Sequence, residues 1–233
     1  EIWTDVDGML TTDPRMCPDA RRIKVISFDE AAELAYFGAK VLHPATVLPA
    51  IQKNIPVYVL NSRNPSCEGT KITARAPHSR NIFKAIAVKK RITIVDVAAP
   101  RRLLVHGFLK SIFEAFDKHG IAVDVVSTSE VSVSVTVETN EGIPALSADL
   151  AKLADVKYEG RKAIICLVGE NLRDRPGIAA RVFGELEDVK IRMISQGASE
   201  INLTFVIEED DVPNVIQRLH RTFFADLDSE VFA

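Results

Sequence analysis

The amino-acid sequence predicts a mixed α/β and α+β fold, in which two ferredoxin-like βαββαβ modules follow a shorter α/β segment. The first observation is an internal repeat, because residues 107–138 align without gaps on residues 177–208. The second is that each copy changes from the helical period of 3.6 residues to the strand period of two. The third is that residues 1–80 lie outside the repeat. Helices packed on one face of an antiparallel sheet are the expected architecture of each copy.

Composition and charge exclude several classes of protein. The 233 residues are 47% hydrophobic and 26% charged, which is an ordinary globular balance. A net charge of −3 provides no basic surface for nucleic acid, and no stretch approaches the ~18 apolar residues of a membrane span. The three cysteines lie far apart without a CxxC, which disfavours a disulfide framework or a zinc knuckle. Because the chain opens on a strand-like segment without Met, we expect a fragment of a longer protein.

Each copy of the repeat begins with a predicted helix. In the first copy the apolar residues at i, i+3, i+4 and i+7 share one face, and they are Leu109, Ile112, Phe113 and Phe116. Gly120 stands where a helix ends, and Pro176 with Gly177 opens the helix of the second copy. Residues 131–137 and 201–207 then alternate apolar and polar side chains, which predicts strands with one buried face.

The order of elements predicts that one copy is inserted into the other. In each copy a strand precedes the first helix, at residues 91–98 and 162–169. A second helix follows each pair of strands, at residues 145–154 and 211–223. Residues 156–160 complete the first copy, whereas the second copy has no strand after its last helix. We therefore predict that residues 83–89 supply the missing strand. The alternative is that residues 83–89 only extend the first sheet.

Residues 1–80 predict α/β structure that is too short to hold a core of its own. Ser27 and Glu30 form a capping-box pattern, which begins a helix. Residues 44–53 predict a short helix, and the apolar residues 55–60 predict a strand.

The domain organisation follows from these elements. Residues 61–80 contain Pro, Gly and polar side chains and are predicted to be a connector. The predicted units are residues 1–80 as the end of an α/β domain with its connector, 91–160 as the inserted module, 83–89 with 162–224 as the second module, and 225–233 as a tail.

Few motifs with a recognised chemistry occur in the chain. There is no Walker A pattern, no GxGxxG and no nucleophile elbow, and the five histidines are scattered. Two polar segments stand out. One runs from Thr4 and Asp5 to Arg15 directly after a strand, where α/β sheets place ligand sites. The other is residues 38–44, where Lys40 stands at a helix end that favours a cation.

Five segments together carry a resemblance to one enzyme family, and they are WTDVDGMLTTDPR, SFDEAAELAYFGAKVLHP, NPSCEGT, VDVVSTSEVSVSV and IRMISQGASEINLTFVI. In order and spacing they resemble aspartate kinase (aspartokinase) over essentially the whole chain. The resemblance implies the C-terminal piece of an amino-acid kinase domain followed by two nested ACT modules. It also implies that the parent enzyme uses ATP with Mg²⁺ to phosphorylate the β-carboxylate of L-aspartate, a step toward lysine, threonine and methionine.

For the nucleotide, the resemblance implies contacts from Thr4, Asp5, Arg15, Lys40 and Val41. Lys40 would supply charge to a phosphate, which suits phosphoryl transfer because cations must surround the transferred group. Leu10 stands where the family often has a Tyr near the adenine, so the base contact is expected to be weaker or purely apolar. The family's Lys-Phe-Gly-Gly loop and Ser-Asp segment do not occur. No catalytic set is therefore complete, and this chain alone is expected to be inactive.

For the regulatory site, the resemblance implies a pocket formed by Gly107, Phe108, Leu109, Ala122, Val123, Asp124, Ser129 and Glu130. Free amides at the start of the first helix would hold an α-carboxylate, Asp124 would pair with the α-ammonium, and Glu130 would pair with a distal ammonium such as that of lysine. Residues 102–106 depart from many lysine-sensitive members, so the effector is left open as lysine or threonine. In the second copy Ile194 replaces Asp124, which predicts that this module builds the dimer.

Two functions remain open from the sequence. The first is the C-terminal portion of a lysine-inhibited aspartate kinase, which carries part of the ATP pocket and the regulatory unit. The second is a non-catalytic regulatory subunit made of ACT modules. The expected assembly is a cytoplasmic homodimer joined through these modules, without nucleic-acid or membrane partners.

Overall fold

A computed structural model describes residues 1–38, 44–99, 107–139 and 141–233. The predicted nucleotide contacts Lys40 and Val41, and residues 102–106, lie outside these ranges. The described residues form a four-stranded sheet and a six-stranded sheet, together with six α-helices. The predicted combination of α/β and α+β structure is confirmed.

The smaller sheet belongs to the N-terminal segment. Its order is β1-β3-β4-β2, with bounds β1 (Ile2–Thr4), β2 (Val25–Ser27), β3 (Val57–Asn61) and β4 (Thr70–Thr73). Strands β1 and β3 are parallel neighbours, so their carboxyl ends lie at one edge. Strand β4 falls inside the predicted connector, and that segment is therefore partly sheet.

Two helices accompany the smaller sheet, α1 (Phe28–Tyr36) and α2 (Pro44–Gln52). The predicted capping box at the start of α1 is confirmed. The Ser27 hydroxyl accepts a hydrogen bond from the Glu30 amide at 3.2 Å, and the Glu30 carboxylate accepts one from the Ser27 amide at 3.0 Å. This reciprocal pair satisfies two amides that a helix start leaves free.

The six-stranded sheet is antiparallel throughout and has the order β6-β7-β5-β8-β10-β9. Its strands are β5 (Phe83–Ala98), β6 (Val123–Thr128), β7 (Ser132–Glu138), β8 (Asp155–Gly169), β9 (Met193–Gln196) and β10 (Asn202–Glu208). Its helices are α3 (Phe108–Lys118), α4 (Ile143–Leu150), α5 (Ile178–Gly184) and α6 (Val212–Phe223).

The long strands β5 and β8 are shared between the two halves of this sheet. The first half of β5 pairs with the second half of β8, from Phe83 opposite Gly169 to Lys89 opposite Ile164. The second half of β5 pairs with β7 on one side and with the start of β8 on the other. Residues 83–89 thus lie beside the C-terminal strands, as the strand count predicts. The exact module boundaries stay a prediction.

Both long strands pass through a joint where one half of the sheet meets the other. Arg91 in β5 and Arg161 in β8 have positive φ angles of 59° and 56°, which are rare for residues other than glycine. An acidic 3₁₀ turn at Glu209–Asp211 lies against both joints. The Glu209 carboxylate accepts from the Arg91 amide at 3.1 Å, and Asp210 pairs with Arg161 at 2.8 Å.

The hydrophobic core has two parts. The smaller part fills the half of the sheet built on α3 and α4. The larger part is continuous from the N-terminal segment into the half built on α5 and α6, and it includes Ile26, Phe28, Phe83 and Phe205. The described apolar side chains of the N-terminal segment therefore share one core with the C-terminal module.

The residues predicted as a tail are packed into the structure. Val231 and Phe232 are buried, and Phe232 forms an isolated β-bridge with Ile23. The Lys24 amide donates a hydrogen bond to the Val231 carbonyl at 2.7 Å. Within the described residues, no helix is long and apolar enough to cross a membrane.

Candidate functional site

Polar side chains gather where β1 and β3 end. Thr4 closes β1, Asp5 follows it, and the Thr4 hydroxyl lies 3.4 Å from an Asp5 carboxylate oxygen. Asn61 closes β3 and donates a hydrogen bond to the Asp7 carboxylate at 2.7 Å. Since β1 and β3 are adjacent parallel strands, this edge is where an α/β sheet binds ligands. The structure therefore places Thr4 and Asp5 at the predicted kind of edge and adds Asp7 and Asn61.

Arg15 is not joined to that edge by its side-chain contacts. Its guanidinium forms a bidentate pair with Asp13, with one N–O distance of 2.6 Å, and its side chain is 88% exposed. This pairing lowers the pKa of the Asp13 carboxyl. The Arg15 guanidinium would have to leave Asp13 before it could bind another anion. Leu10 forms a backbone bridge with Arg22 at the other end of the same loop.

The start of α3 lies at Gly107, which is its N-cap and has φ of 94°. Among the described residues, no side chain caps the amides of this helix start. A Cβ added at Gly107 would meet no atom within 4 Å among the described residues. Phe108 is half-buried and Leu109 is exposed on the first turn. The backbone amides of this turn are available to a carboxylate.

Asp124 lies in a β-bulge near the start of β6. The pairing of β6 with β7 shifts by one residue between Val123 and Val126, and a bulge of this kind redirects a side chain. The Asp124 side chain is only 3% exposed, and one carboxylate oxygen lies 2.7 Å from the Lys89 ammonium nitrogen. The other oxygen is buried and has no hydrogen-bond partner among the described residues. Asp124 therefore has an internal partner that the sequence analysis missed.

The remaining predicted pocket residues lie around β6. Ala122 precedes the strand, Val123 begins it, and Ser129 with Glu130 forms the turn into β7. The Ser129 hydroxyl is 2.8 Å from that of Ser132 and accepts from the Ser132 amide at 3.1 Å, so it shapes the turn. Glu130 is exposed. The structure brings Val123 and Asp124 together on β6 and places the Ser129–Glu130 pair beyond the strand's far end.

Helix α1 connects the N-terminal segment to the half of the large sheet that contains residues 83–89 and β10. Glu30 is ion-paired with Lys84 of β5 at 3.1 Å. Glu33 accepts a hydrogen bond from the Asn202 amide group of β10 at 2.9 Å. Tyr36 lies under the Lys89 ammonium, which is 5.6 Å from its ring centre. These contacts repeat every three residues along one side of α1.

The only sequence signal for this helix contact was a charged residue in an apolar strand. Lys84 interrupts the run Phe83–Ala85–Ile86 and is 1% exposed. A buried lysine requires a carboxylate partner, but the sequence does not say which one. The partner Glu30 lies 54 positions away.

Two family models match this chain. The amino acid kinase family matches residues 1–61, and the ACT domain matches residues 104–148 and 165–223. Among curated proteins, aspartokinase 2, chloroplastic, of Arabidopsis thaliana is 41% identical over 96% of this chain and 43% of its own length. The lysine-sensitive aspartokinase 3 of Escherichia coli is 40% identical over 96% of this chain and 51% of its own length.

The chain belongs to the aspartokinase family. It spans about half the length of the curated relatives that it matches. The aspartokinase resemblance read from the five sequence segments is thereby confirmed. The kinase-family match to residues 1–61 also favours the reading as a C-terminal aspartokinase region over a subunit made of ACT modules alone.

Solved aspartokinase structures have the same fold. Escherichia coli aspartokinase III in complex with aspartate and ADP, in its R-state, superposes with a TM-score of 0.88 at 41% identity, over 96% of this chain and 52% of that one. The same enzyme with lysine and aspartate, in its T-state, gives 0.85 over 96% and 51%. A Porphyromonas gingivalis structure described as a C-terminal regulatory domain of aspartate kinase is 33% identical, with a TM-score of 0.55 over 60% of this chain and 96% of that domain.

Proposed function

We propose that this chain is the C-terminal region of an aspartokinase and that it binds lysine as a feedback inhibitor. The reaction of the parent enzyme would transfer the γ-phosphoryl group of ATP to the β-carboxylate of L-aspartate, giving ADP and 4-phospho-L-aspartate. The observation that carries the proposal is the likeness to aspartokinase III in complex with lysine, at 41% identity over 96% of this chain.

The regulatory pocket lies between the start of α3 and strand β6. The free amides at Gly107, Phe108 and Leu109 would hold the effector's α-carboxylate, because a helix N-terminus carries partial positive charge. Asp124, with its unpaired oxygen, would accept the α-ammonium, and the exposed Glu130 would meet the distal ammonium of lysine. Ala122, Val123 and Ser129 would line the space between these groups.

The edge formed by β1 and β3 would contribute to the ATP pocket of the parent enzyme. Thr4 and Asp5 would line the nucleotide pocket. Arg15 would bind a phosphate after its guanidinium leaves Asp13. Lys40 and Val41 would complete this side of the pocket. The carboxylates of Asp5 and Asp7 and the amide of Asn61 can orient polar groups of a nucleotide at this edge.

We propose Mg²⁺ as the metal ion that accompanies ATP in the parent enzyme. The described residues contain no group of three His, Cys, Asp or Glu side chains that could hold a metal ion. When bound in the parent enzyme, Mg²⁺ would neutralise charge on the phosphates.

A second copy of the chain is the proposed partner. Exposed apolar side chains lie on the α3–β6 half of the sheet, and they are Leu109, Phe113, Val126 and Val131. A second ACT module packed there would bury them. Ile194 on β9, which takes the place of Asp124 in the second copy, is also exposed and would join such an interface. We propose a cytoplasmic location for this chain, in contrast to the Arabidopsis relative, whose name places it in the chloroplast.

Calorimetric titration of the chain with L-lysine, L-threonine and L-methionine tests the proposal. We expect lysine to bind, and we expect Glu130→Gln to weaken lysine binding by about tenfold through loss of a charged hydrogen bond. Glu141→Gln removes an exposed carboxylate from the turn before α4 and serves as the control. Tighter binding of threonine than of lysine would identify threonine as the effector. If none of the three amino acids binds, the regulatory part of the proposal is refuted.

A further inference from the structure

The contact between Lys89 and Asp124 places a cation of the chain itself in the proposed effector pocket. The Lys89 ammonium lies 2.7 Å from Asp124, whose side chain is 3% exposed. An α-ammonium group of a free amino acid has the same charge and the same three donors as a lysine ammonium. The two groups therefore compete for one carboxylate.

We propose that Lys89 is an internal competitor of the effector. Its ammonium holds Asp124 when no effector is bound and must leave when an amino acid binds. This inference rests on the proposed regulatory function and deepens it by naming a residue that sets effector affinity. The residue lies outside the pocket predicted from the sequence, on strand β5.

The carboxylate of Asp124 is poised for a second donor. One oxygen is held by Lys89, and the other is buried without a hydrogen-bond partner among the described residues. An unpaired buried carboxylate oxygen is unfavourable. An incoming ammonium group at that oxygen would bring a second positive charge beside the Lys89 ammonium, and the repulsion between the two cations favours the departure of Lys89.

Lys89 has somewhere to go when it leaves Asp124. Its side chain is 23% exposed, whereas that of Asp124 is almost fully buried, so the ammonium can swing toward water without unfolding the strand. The Lys89 ammonium lies 5.6 Å from the centre of the Tyr36 ring, which contributes a cation–π attraction. Burial first, and then the negative charge of Asp124, raise the pKa of the Tyr36 phenol, whereas the Lys89 ammonium lowers it.

The position in the sheet explains why the competitor can reach the pocket. Lys89 is the last residue of the part of β5 that pairs with the C-terminal half of β8, directly before the joint at Arg91. Strands β6 and β9, at the two ends of the sheet order, approach each other, so the sheet is strongly curved. This curvature and the bulge at Asp124 bring the two side chains together although β7 lies between their strands.

The test compares lysine binding by the chain with that of Lys89→Met. If Lys89 occupies Asp124 in about nine molecules of ten, its removal lowers the dissociation constant for L-lysine about tenfold. Lys90→Met is the matched control, because it removes the neighbouring ammonium of the same strand, which makes no contact with Asp124. In the double variant Lys89→Met with Asp124→Asn the gain in affinity should disappear.

A modified ligand identifies which ammonium competes. Nα-acetyl-L-lysine lacks the α-ammonium, so its dissociation constant should be equal for the unsubstituted chain and for Lys89→Met. Thermal unfolding of each variant checks that it is folded. Binding of lysine that is unchanged or weaker in folded Lys89→Met overturns the inference while leaving the proposed function intact.

The remaining outcomes separate the two proposals. Lysine binding by Lys89→Met but not by the unsubstituted chain supports the inference, since the Lys89 ammonium then suppresses binding completely. Binding by neither folded protein overturns the inference together with the regulatory part of the proposed function.

Discussion

The Lys84 ammonium nitrogen lies 3.1 Å from a Glu30 carboxylate oxygen, although the two side chains are only 1% and 2% exposed. The same ammonium lies 2.5 Å from Glu170, whose other oxygen is 2.6 Å from a ring nitrogen of His78. Glu30 also accepts from the Ser27 hydroxyl at 2.7 Å. The capping box of α1 and the first residues of β5 therefore share one buried charge network.

Removal of the central cation should be strongly destabilising. Lys84→Met leaves the buried Glu30 carboxylate without its cation, and we expect a loss of about 3–5 kcal/mol in the free energy of unfolding by urea. Lys84→Met combined with Glu30→Gln should recover part of that loss, because the uncompensated charge is gone. Lys157→Met, on an exposed position of β8, is the control. A loss below ~0.5 kcal/mol, as for ordinary surface substitutions, would contradict this account.

A buried histidine makes stability depend on pH. His220 of α6 is 4% exposed and lies 2.9 Å from the Thr11 hydroxyl. Burial lowers the pKa of His220 from its ordinary 6.5, a shift that the nearby charges of Asp19 and Arg21 modify in opposite directions. The folded state therefore favours the neutral imidazole, and the unfolded chain binds the proton more readily.

The sign of the effect follows from that difference. The stabilisation associated with the neutral imidazole is complete above pH 6.5 and is lost as the pH falls through the lower pKa of the folded state. We expect the stability difference between the chain and His220→Gln to shrink on acidification from about pH 8 to about pH 5. These two pH values lie on either side of the ordinary histidine pKa. Guanidinium unfolding of both proteins at each pH measures it. A pH-independent difference would mean that His220 does not titrate differently on folding.

The glycine that directly precedes strand β4 tests the packing of the smaller sheet. Gly69 has φ of +67°, and a Cβ there would lie 2.0 Å from the Val59 carbonyl oxygen of β3. Gly69→Ala should cost about 2–4 kcal/mol through the clash and the backbone strain together. Gly120→Ala is a matched control, because Gly120 has φ of +62° with no described atom within 4 Å. It should show only the strain, about 1 kcal/mol, and equal losses in the two variants would argue against the clash.

Much of the fold could be predicted because its signals are local. The period of two in residues 131–137 and 201–207 places β7 and β10, and the Ser27–Glu30 capping box begins α1. The pairing of residues 83–89 with the C-terminal strands followed from counting strands, since an incomplete sheet requires one more edge. Each of these inferences needed only spacing along the chain.

The contacts that were missed depend on how the elements pack in three dimensions. Asp124 was predicted to await an ammonium group, but its partner Lys89 stands 35 positions away and reaches it only because the sheet curves and β6 bulges. Strand β4 was hidden in a polar segment with few apolar residues. The Thr4–Asp5 edge could be predicted as a ligand site, whereas its partner Asn61 depends on the parallel pairing of β1 with β3.

The C-terminal residues 225–233 are acidic with few apolar side chains, and the sequence therefore predicts a tail, but the structure packs them against the rest of the chain. Phe232 is 2% exposed, forms a β-bridge with Ile23, and meets the Phe224 ring edge-on at 6.4 Å. Phe232→Ala should therefore lower the free energy of unfolding by about 3–5 kcal/mol, as expected for a buried aromatic residue. Leu153→Ala, at a side chain that is 45% exposed, should change it far less. Urea unfolding of both variants decides the point, since similar small losses would mean that Phe232 is not packed against the kinase-family segment in solution.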